Sequence, residues 1–221
     1  MNRNILVVFD IDGTLTDSVK QHQQAFAEIL KDMGVESHAE FKSFKHHTDS
    51  FIAKEIYESS LQASFTGDKK DAFEKALSSK LSQEAFDEIK GAKALIDSLK
   101  NAPQYGFCFA TGSLRRPASH KLNSIGIEFD EAQLVASDDI YEREAIVQQA
   151  INKASEYYGV DTFERIVSVG DGLWDLRTAN NLNLEFVGVG ETNYDLLLEN
   201  GAETVLRDLT GFSLESKAES L

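Results

Sequence analysis

Phe9-Asp10-Ile11-Asp12-Gly13-Thr14-Leu15-Thr16 is the stretch on which the reading of this chain turns. The run leading into it, residues 4–9 (NILVVF), is apolar and rich in β-branched side chains. A run apolar throughout predicts a strand covered on both faces, as in a parallel sheet. The strand then stops at two aspartates placed two apart. Ligands of open parallel sheets bind outside the carboxyl ends of the strands, which is where Asp10 and Asp12 would project. Gly13 would let the chain turn sharply behind them. Taken alone, the pair is read equally well as an acidic turn capping a strand. A calcium loop of the EF-hand kind does not fit. Its glycine would fall at the fourth position instead of the sixth, and no glutamate closes the loop at the twelfth.

Working outward, four further runs look like buried strands: residues 105–110, 134–136, 165–170 and 184–189, with 203–206 a weaker sixth. Helical patterns separate most of them. Leu95, Ile96 and Leu99 mark one helix, and Ile146, Val147, Ala150, Ile151 and Ala154 mark another. From about residue 90 onward, helix and strand alternate, which predicts an α/β, Rossmann-like fold with a parallel sheet. Residues 17–88 break the alternation. They show amphipathic helical periodicity, including Val19, Phe26, Ile29, Leu30 and Met33 before Gly34, and no convincing strand. The expected organisation is a core of residues 1–16 plus 89–221, interrupted by a small all-helical insertion at 17–88. Gly67-Asp68 is a turn within it, and the polar end, residues 213–221, is expected to fray.

Two more strand ends carry chemistry. In Gly170-Asp171-Gly172-Leu173-Trp174-Asp175 a carboxylate follows a strand and a second lies four residues on, one turn further if a helix starts there. A helix N-cap with a first-turn aspartate would look the same. If this strand neighbours the first, four carboxylates converge, and such a cluster repels itself unless a hard cation sits within it. Few oxygen ligands suit Mg²⁺. In Ala110-Thr111-Gly112-Ser113 a hydroxyl and backbone N–H groups can hold phosphate oxygens. Arg115 and Arg116, which follow, read as solvated surface residues.

Composition sets outer bounds. The 221 residues are 42% hydrophobic and 27% charged, with a net charge of -15. That charge makes duplex nucleic acid and anionic membranes poor partners. It also means that any phosphate site needs a metal or local cations to reverse the field. The single cysteine, Cys108, reads as an inert buried thiol in a strand. No secretion signal or membrane-length apolar run is present, so a cytoplasmic location is expected.

Together, Asp-x-Asp-Gly-Thr at 10–14, Thr-Gly-Ser at 111–113 and Gly-Asp-x-x-x-Asp at 170–175 resemble the haloacid-dehalogenase-like superfamily. Within it, the similarity is to the phosphoglycolate phosphatase and β-phosphoglucomutase-like group with a helical cap. The resemblance implies an Mg²⁺-dependent phosphatase acting on a small phosphorylated metabolite. Asp10 would be the nucleophile, and Asp12 would protonate the leaving oxygen and then help activate water. Asp10, the backbone carbonyl of Asp12, Asp171 and Asp175 would hold Mg²⁺. Thr111 and Gly112 would bind the phosphoryl group. A lysine is common upstream of the last motif in the family; here Arg143 stands in roughly that place, ahead of Lys153. Asp12 argues against a dehalogenase, since halide leaves without a proton. A phosphonatase would need a Schiff-base lysine, and nothing marks Lys42, Lys45 or Lys54 for that role. A phosphosugar mutase shares every motif, and a non-catalytic binder of phosphate ligands is the third reading.

The insertion should select the substrate. His22, Phe26, Lys42, Lys45, His46, His47, Thr48 and Asp49 are candidates for its inner face. His46-His47 reads as a solvated or hinge-side cluster, because adjacent helical residues do not face one way. Trp174 packs either beneath the insertion or against the following helix.

Overall fold

The apolar run becomes β1 (Ile5–Phe9), and its two faces explain its place in the fold. In this computed structural model, which describes residues 3–35 and 44–214, alternate β1 residues enter different clusters. Val7 and Phe9 pack with Ile96, Leu99, Ala118 and Leu122 on one side; Leu6 and Val8 pack with Ile146, Val147, Ala150 and Ala154 on the other. A strand covered twice has no use for a polar position, hence the unbroken apolar run. The readings of Lys42 and of residues 215–221 lie outside the described residues.

After β1 come β2 (Thr16–Asp17), α1 (Val19–Asp32), α2 (Asp49–Leu61), α3 (Asp68–Leu81) and β3 (Asp87–Glu88). The rest alternates: α4 (Ala92–Asn101), β4 (Tyr105–Ala110), α5 (Arg115–Ser124), β5 (Leu134–Val135), α6 (Arg143–Tyr158), β6 (Arg165–Gly170), α7 (Leu173–Asn181), β7 (Glu185–Val189), α8 (Tyr194–Glu199) and β8 (Val205–Leu206). The main sheet has six parallel strands in the order β5-β4-β1-β6-β7-β8. The order reverses at β1, whose neighbours β4 and β6 return from opposite sides. Phe9 pairs with Phe109 on one side and Val169 on the other. The residues just beyond those pairs, Asp10, Thr111 and Asp171, therefore leave the sheet at one edge. That is the switch point at which an open α/β sheet forms its crevice.

Helices α1–α3 carry their own apolar cluster of Phe26, Ile29, Leu30, Ile52, Ile56, Tyr57, Phe73, Leu77 and Leu81. Phe26 meets Phe73 edge to face at 5.0 Å. The fold is thus a parallel α/β sheet with a helical insertion after its first strand. One expectation is corrected. The insertion is flanked by a short antiparallel pair, with Thr16 opposite Glu88 and Asp17 opposite Asp87. Two-residue strands are too short to display a period of two, and three of these four residues are acidic. Among the described residues no helix is long and apolar enough to cross a membrane.

Candidate active site

Gly13 shapes the loop after β1. Its φ of +80° suits glycine, and its N–H donates to the Thr16 carbonyl at 2.8 Å. A Cβ there would also run into the Asp171 carboxylate. The tight turn leaves Asp10 and Asp12 facing a cavity of about 690 Å³ between the sheet edge and α1–α2. Thr111, Gly112, Ser113, Arg143, Asp171 and Trp174 line it as well.

Asp10, Asp171 and Asp175 each offer an oxygen within 4.8 Å of the others. Burial, Asp175 and Asp12 together push the Asp10 carboxyl up to about 7, against the opposing pull of Arg143. Burial and the charges of Asp175, Asp10 and Asp12 hold Asp171 well above the usual carboxylate range. Burial also raises Asp175, despite Arg143 beside it. The Oδ1 of Asp171 is buried and has no hydrogen-bond partner among the described residues. Three crowded carboxylates with one unsatisfied oxygen form a donor set that suits a hard divalent cation. Without a cation, the repulsion must cost stability. Asp171→Asn is therefore expected to raise the melting temperature of the metal-free protein by roughly 2–8 °C, for about 1–2 kcal/mol gained. Calorimetry in chelator checks this, and an unchanged or lower midpoint would mean the carboxylates do not strain the fold.

Arg143, the first residue of α6, is buried and reaches across to β1. Its Nη2 donates to Asp10 Oδ1 at 3.0 Å and to Asp175 Oδ1, while its buried Nε has no partner among the described residues. Lys153 does not line the cavity. The second Asp175 oxygen accepts from the Gly172 N–H at 3.1 Å, so this side chain caps α7 as well as meeting Arg143. Thr111 is buried, and its Oγ1 accepts from the Ser113 N–H at 3.0 Å. The backbone N–H groups of Ile11, Asp12 and Gly112 make no hydrogen bond to any described group.

The Asp12 carboxylate is held by groups outside the acidic cluster. Ser18 Oγ and Lys121 Nζ donate to its Oδ1, each at 2.5 Å, and Ser113 Oγ donates to Oδ2 at 2.7 Å. Burial alone would raise Asp12. The Lys121 ammonium and the hydrogen bonds from Lys121 and Ser18 outweigh it and hold the carboxyl well below its ordinary range. Lys121 escaped the sequence reading. A signal did exist: it lies on the apolar stripe of α5 with Ala118 and Leu122, where a solvated lysine has no place.

Of the residues expected on the insertion's inner face, His22, His47, Thr48 and Asp49 line the cavity. Phe26 is instead part of the helical core, and Lys45 is exposed. His46 and His47 are not a solvated pair. His46 packs edge to face on Phe51 at 4.8 Å, and His47 stacks on Trp174 at 4.5 Å and 16°. Trp174 thus sits beneath the insertion. Burial and the nearby Arg143, Arg177 and His46 lower His47 to about 4, which keeps the stacked imidazole neutral. Lys54 lies over the Tyr141 ring, and neither Lys45 nor Lys54 lines the cavity. Arg115 and Arg116 do not line it either; Arg115 pairs with Glu131. Cys108 is fully buried, and its thiol pKa is raised by that burial.

The family model of haloacid dehalogenase-like hydrolases matches residues 7–189, from β1 to the end of β7. The chain belongs to the haloacid dehalogenase-like hydrolases. It is an enzyme of that family, and the match spans all three strand ends that carry the site. No curated protein matches this haloacid dehalogenase-like hydrolase. Among solved structures it is similar to a hydrolase of the same family from Entamoeba histolytica, at 22% identity over 97% of this chain and 96% of that one, with a TM-score of 0.71. CbbY from Rhodobacter sphaeroides, solved with phosphate, is 19% identical over 96% of each chain, with a TM-score of 0.70. A hydrolase from Pseudomonas syringae is 23% identical over 93% of this chain and 95% of that one, with a TM-score of 0.64. At such identities these likenesses concern the fold.

Proposed function

We propose that this hydrolase is an Mg²⁺-dependent phosphatase that cleaves a small phosphate monoester through an aspartyl phosphate on Asp10. One observation carries the reading. Asp10 stands between a buried cation, Arg143, and a half-buried carboxylate, Asp171, and among the described residues the Arg143 Nε and the buried Asp171 Oδ1 have no hydrogen-bond partner. Such a site complements an anion on one side and a metal ion on the other. CbbY, a protein of the same fold, was solved in complex with phosphate, which accords with a phosphate ligand for this fold.

In this reading Asp10, the carbonyl of Asp12, Asp171 and Asp175 would hold Mg²⁺. Bound there, Mg²⁺ would offset charge on the transferring phosphoryl oxygens. An Asp10 oxygen attacks phosphorus and the bond to the ester oxygen breaks, while Asp12, ionised in the free site, relays to that oxygen a proton brought in by the phosphate ester monoanion. Water then attacks the same phosphorus and gives its proton to Asp12. The Asp10–phosphorus bond breaks, and inorganic phosphate leaves. Arg143, Thr111 and the N–H groups of Ile11, Asp12 and Gly112 bind the equatorial oxygens throughout. The helical insertion, taken as residues 17–88, acts as a cap that shields the intermediate from bulk water and selects the substrate.

The test is phosphate release from a panel of aryl and alkyl phosphate esters. Turnover is expected with Mg²⁺, and its loss with chelator. A folded protein that binds Mg²⁺ but releases no phosphate from any ester would overturn the assignment.

A further inference from the structure

Lys121 is fully buried, yet it belongs neither to the acidic cluster nor to the phosphoryl-binding groups. A lysine is almost never placed so deeply without full pairing. Its ammonium has three protons and meets three acceptors: Asp12 Oδ1 at 2.5 Å, His22 Nδ1 at 2.8 Å and Ser113 Oγ at 3.0 Å. Ser113 passes the restraint on by donating to the other Asp12 oxygen at 2.7 Å. Both oxygens of Asp12 are thus tied, directly or through one hydroxyl, to a single point on α5.

That point is itself anchored from the insertion. Because Lys121 donates to His22 Nδ1, the His22 proton sits on Nε2, which donates to Asp49 Oδ1 at 2.8 Å. The other Asp49 oxygen accepts from the Leu114 N–H at 3.0 Å, at the start of α5. The Asp49 N–H donates to the Gly112 carbonyl at 2.8 Å. His22 and Asp49 come from α1 and α2, while Lys121, Leu114, Ser113 and Gly112 come from the sheet side. The chain of bonds therefore closes only when the helices are seated on the sheet edge, as they are here.

We infer that Lys121 is the positioning residue for Asp12, fixing its carboxylate at the leaving-group side of the cavity, with His22 and Asp49 completing its coordination from the insertion. The inference rests on the reading of Asp12 as the group that exchanges a proton with the leaving oxygen. Two cations then divide the site: Arg143 serves Asp10 and the phosphoryl group, and Lys121 serves Asp12. Loss of Lys121 spares the acidic cluster but leaves Asp12 held only by the Ser18 and Ser113 hydroxyls, without the charged anchor that fixes it toward the ester oxygen.

This predicts selectivity by leaving group. A nitrophenolate departs without a proton, whereas an alkoxide does not. In Lys121→Met, which keeps length and removes the ammonium, kcat for an alkyl phosphate is expected to fall about 100-fold or more, within the usual reach of general acid catalysis. For nitrophenyl phosphate it should fall less than about 10-fold, with KM for either ester moving less than about threefold. An equal fall for both esters, or a smaller one for the alkyl ester, would overturn the inference. If the methionine variant does not fold, Ser113→Ala carries the test. It removes one of the three hydrogen bonds to the Asp12 carboxylate and should show the same selectivity on a smaller scale, about fivefold; equal loss on both esters again overturns the proposal. Wild-type turnover of nitrophenyl phosphate that vanishes in Asp10→Asn tests the phosphatase reading separately. The inference can therefore fail while that reading stands.

Discussion

Asp10→Asn is expected to abolish phosphate release, lowering kcat by about 10⁴-fold or more, because an amide cannot form the covalent intermediate. The substitution keeps the side-chain shape, so folding should survive. It also has a second consequence that a surface aspartate would not show. The Asp10 carboxyl is pushed from 3.8 to about 7 by burial and its acidic neighbours. A group raised in this way favours the protonated folded state at low pH, and that contribution is lost as pH rises through about 7. The metal-free wild type should therefore lose stability between about pH 5 and pH 8, whereas Asp10→Asn should show a flatter profile. Urea titrations in chelator at the two pH values measure the difference. Full activity in the asparagine variant would remove Asp10 as nucleophile, and identical pH profiles would remove the electrostatic picture of the cluster.

The strands that build the site were legible for a physical reason. β1, β4 and β6 are covered on both faces, so each is an apolar run that stops where the sheet edge begins. The residues just past each stop are polar because they face the cavity. That contrast exposed Asp10, Asp12, Thr111 and Asp171 at once. The register then brings these strand ends together, with Phe9 level with Phe109 and Val169. Arg143 was harder to find, because nothing in its immediate sequence distinguishes it from other arginines at helix starts. The family resemblance pointed to it, through the basic residue expected at the start of the helix before the last motif.

Other features were hidden by the same rules. Asp17 and Asp87 lie opposite each other in an antiparallel pair too short for any alternation. Lys121 is a charged residue that sequence reasoning assigns to water by default. Its burial depends on partners that are distant in sequence: Asp12, His22 and Ser113. The histidine pair at 46–47 was misplaced because one member faces Phe51 and the other Trp174. Divergence of neighbouring side chains disfavours a shared metal, as expected, but does not require solvation. Where a site is assembled across elements, local pattern identifies its acids more readily than the cations that balance them.

The cation on the phosphoryl side gives the other large effect. Arg143→Met is expected to lower kcat about 10³-fold, the scale associated with losing a positioned donor to a phosphoryl group. The structural penalty should depend on pH. Arg143 donates to Asp10 and Asp175 together, and all three side chains are buried. Removing it leaves two carboxylates facing each other without their cation, a loss of about 3–5 kcal/mol for a broken buried pair. Both carboxyls already sit above their ordinary range, and Arg143 is the group that pulls them down. Without it they rise further, so they take up protons more readily as pH falls. The stability deficit of the variant should therefore be largest near pH 8 and shrink toward pH 5, the direction set by the proton-uptake difference between folded and unfolded states. Added Mg²⁺ should recover part of the deficit at pH 8, since the cation offsets the same charge that Arg143 did. A deficit independent of pH and Mg²⁺ would mean that Arg143 stabilises by packing alone, and that the charge on Asp10 is balanced by other groups.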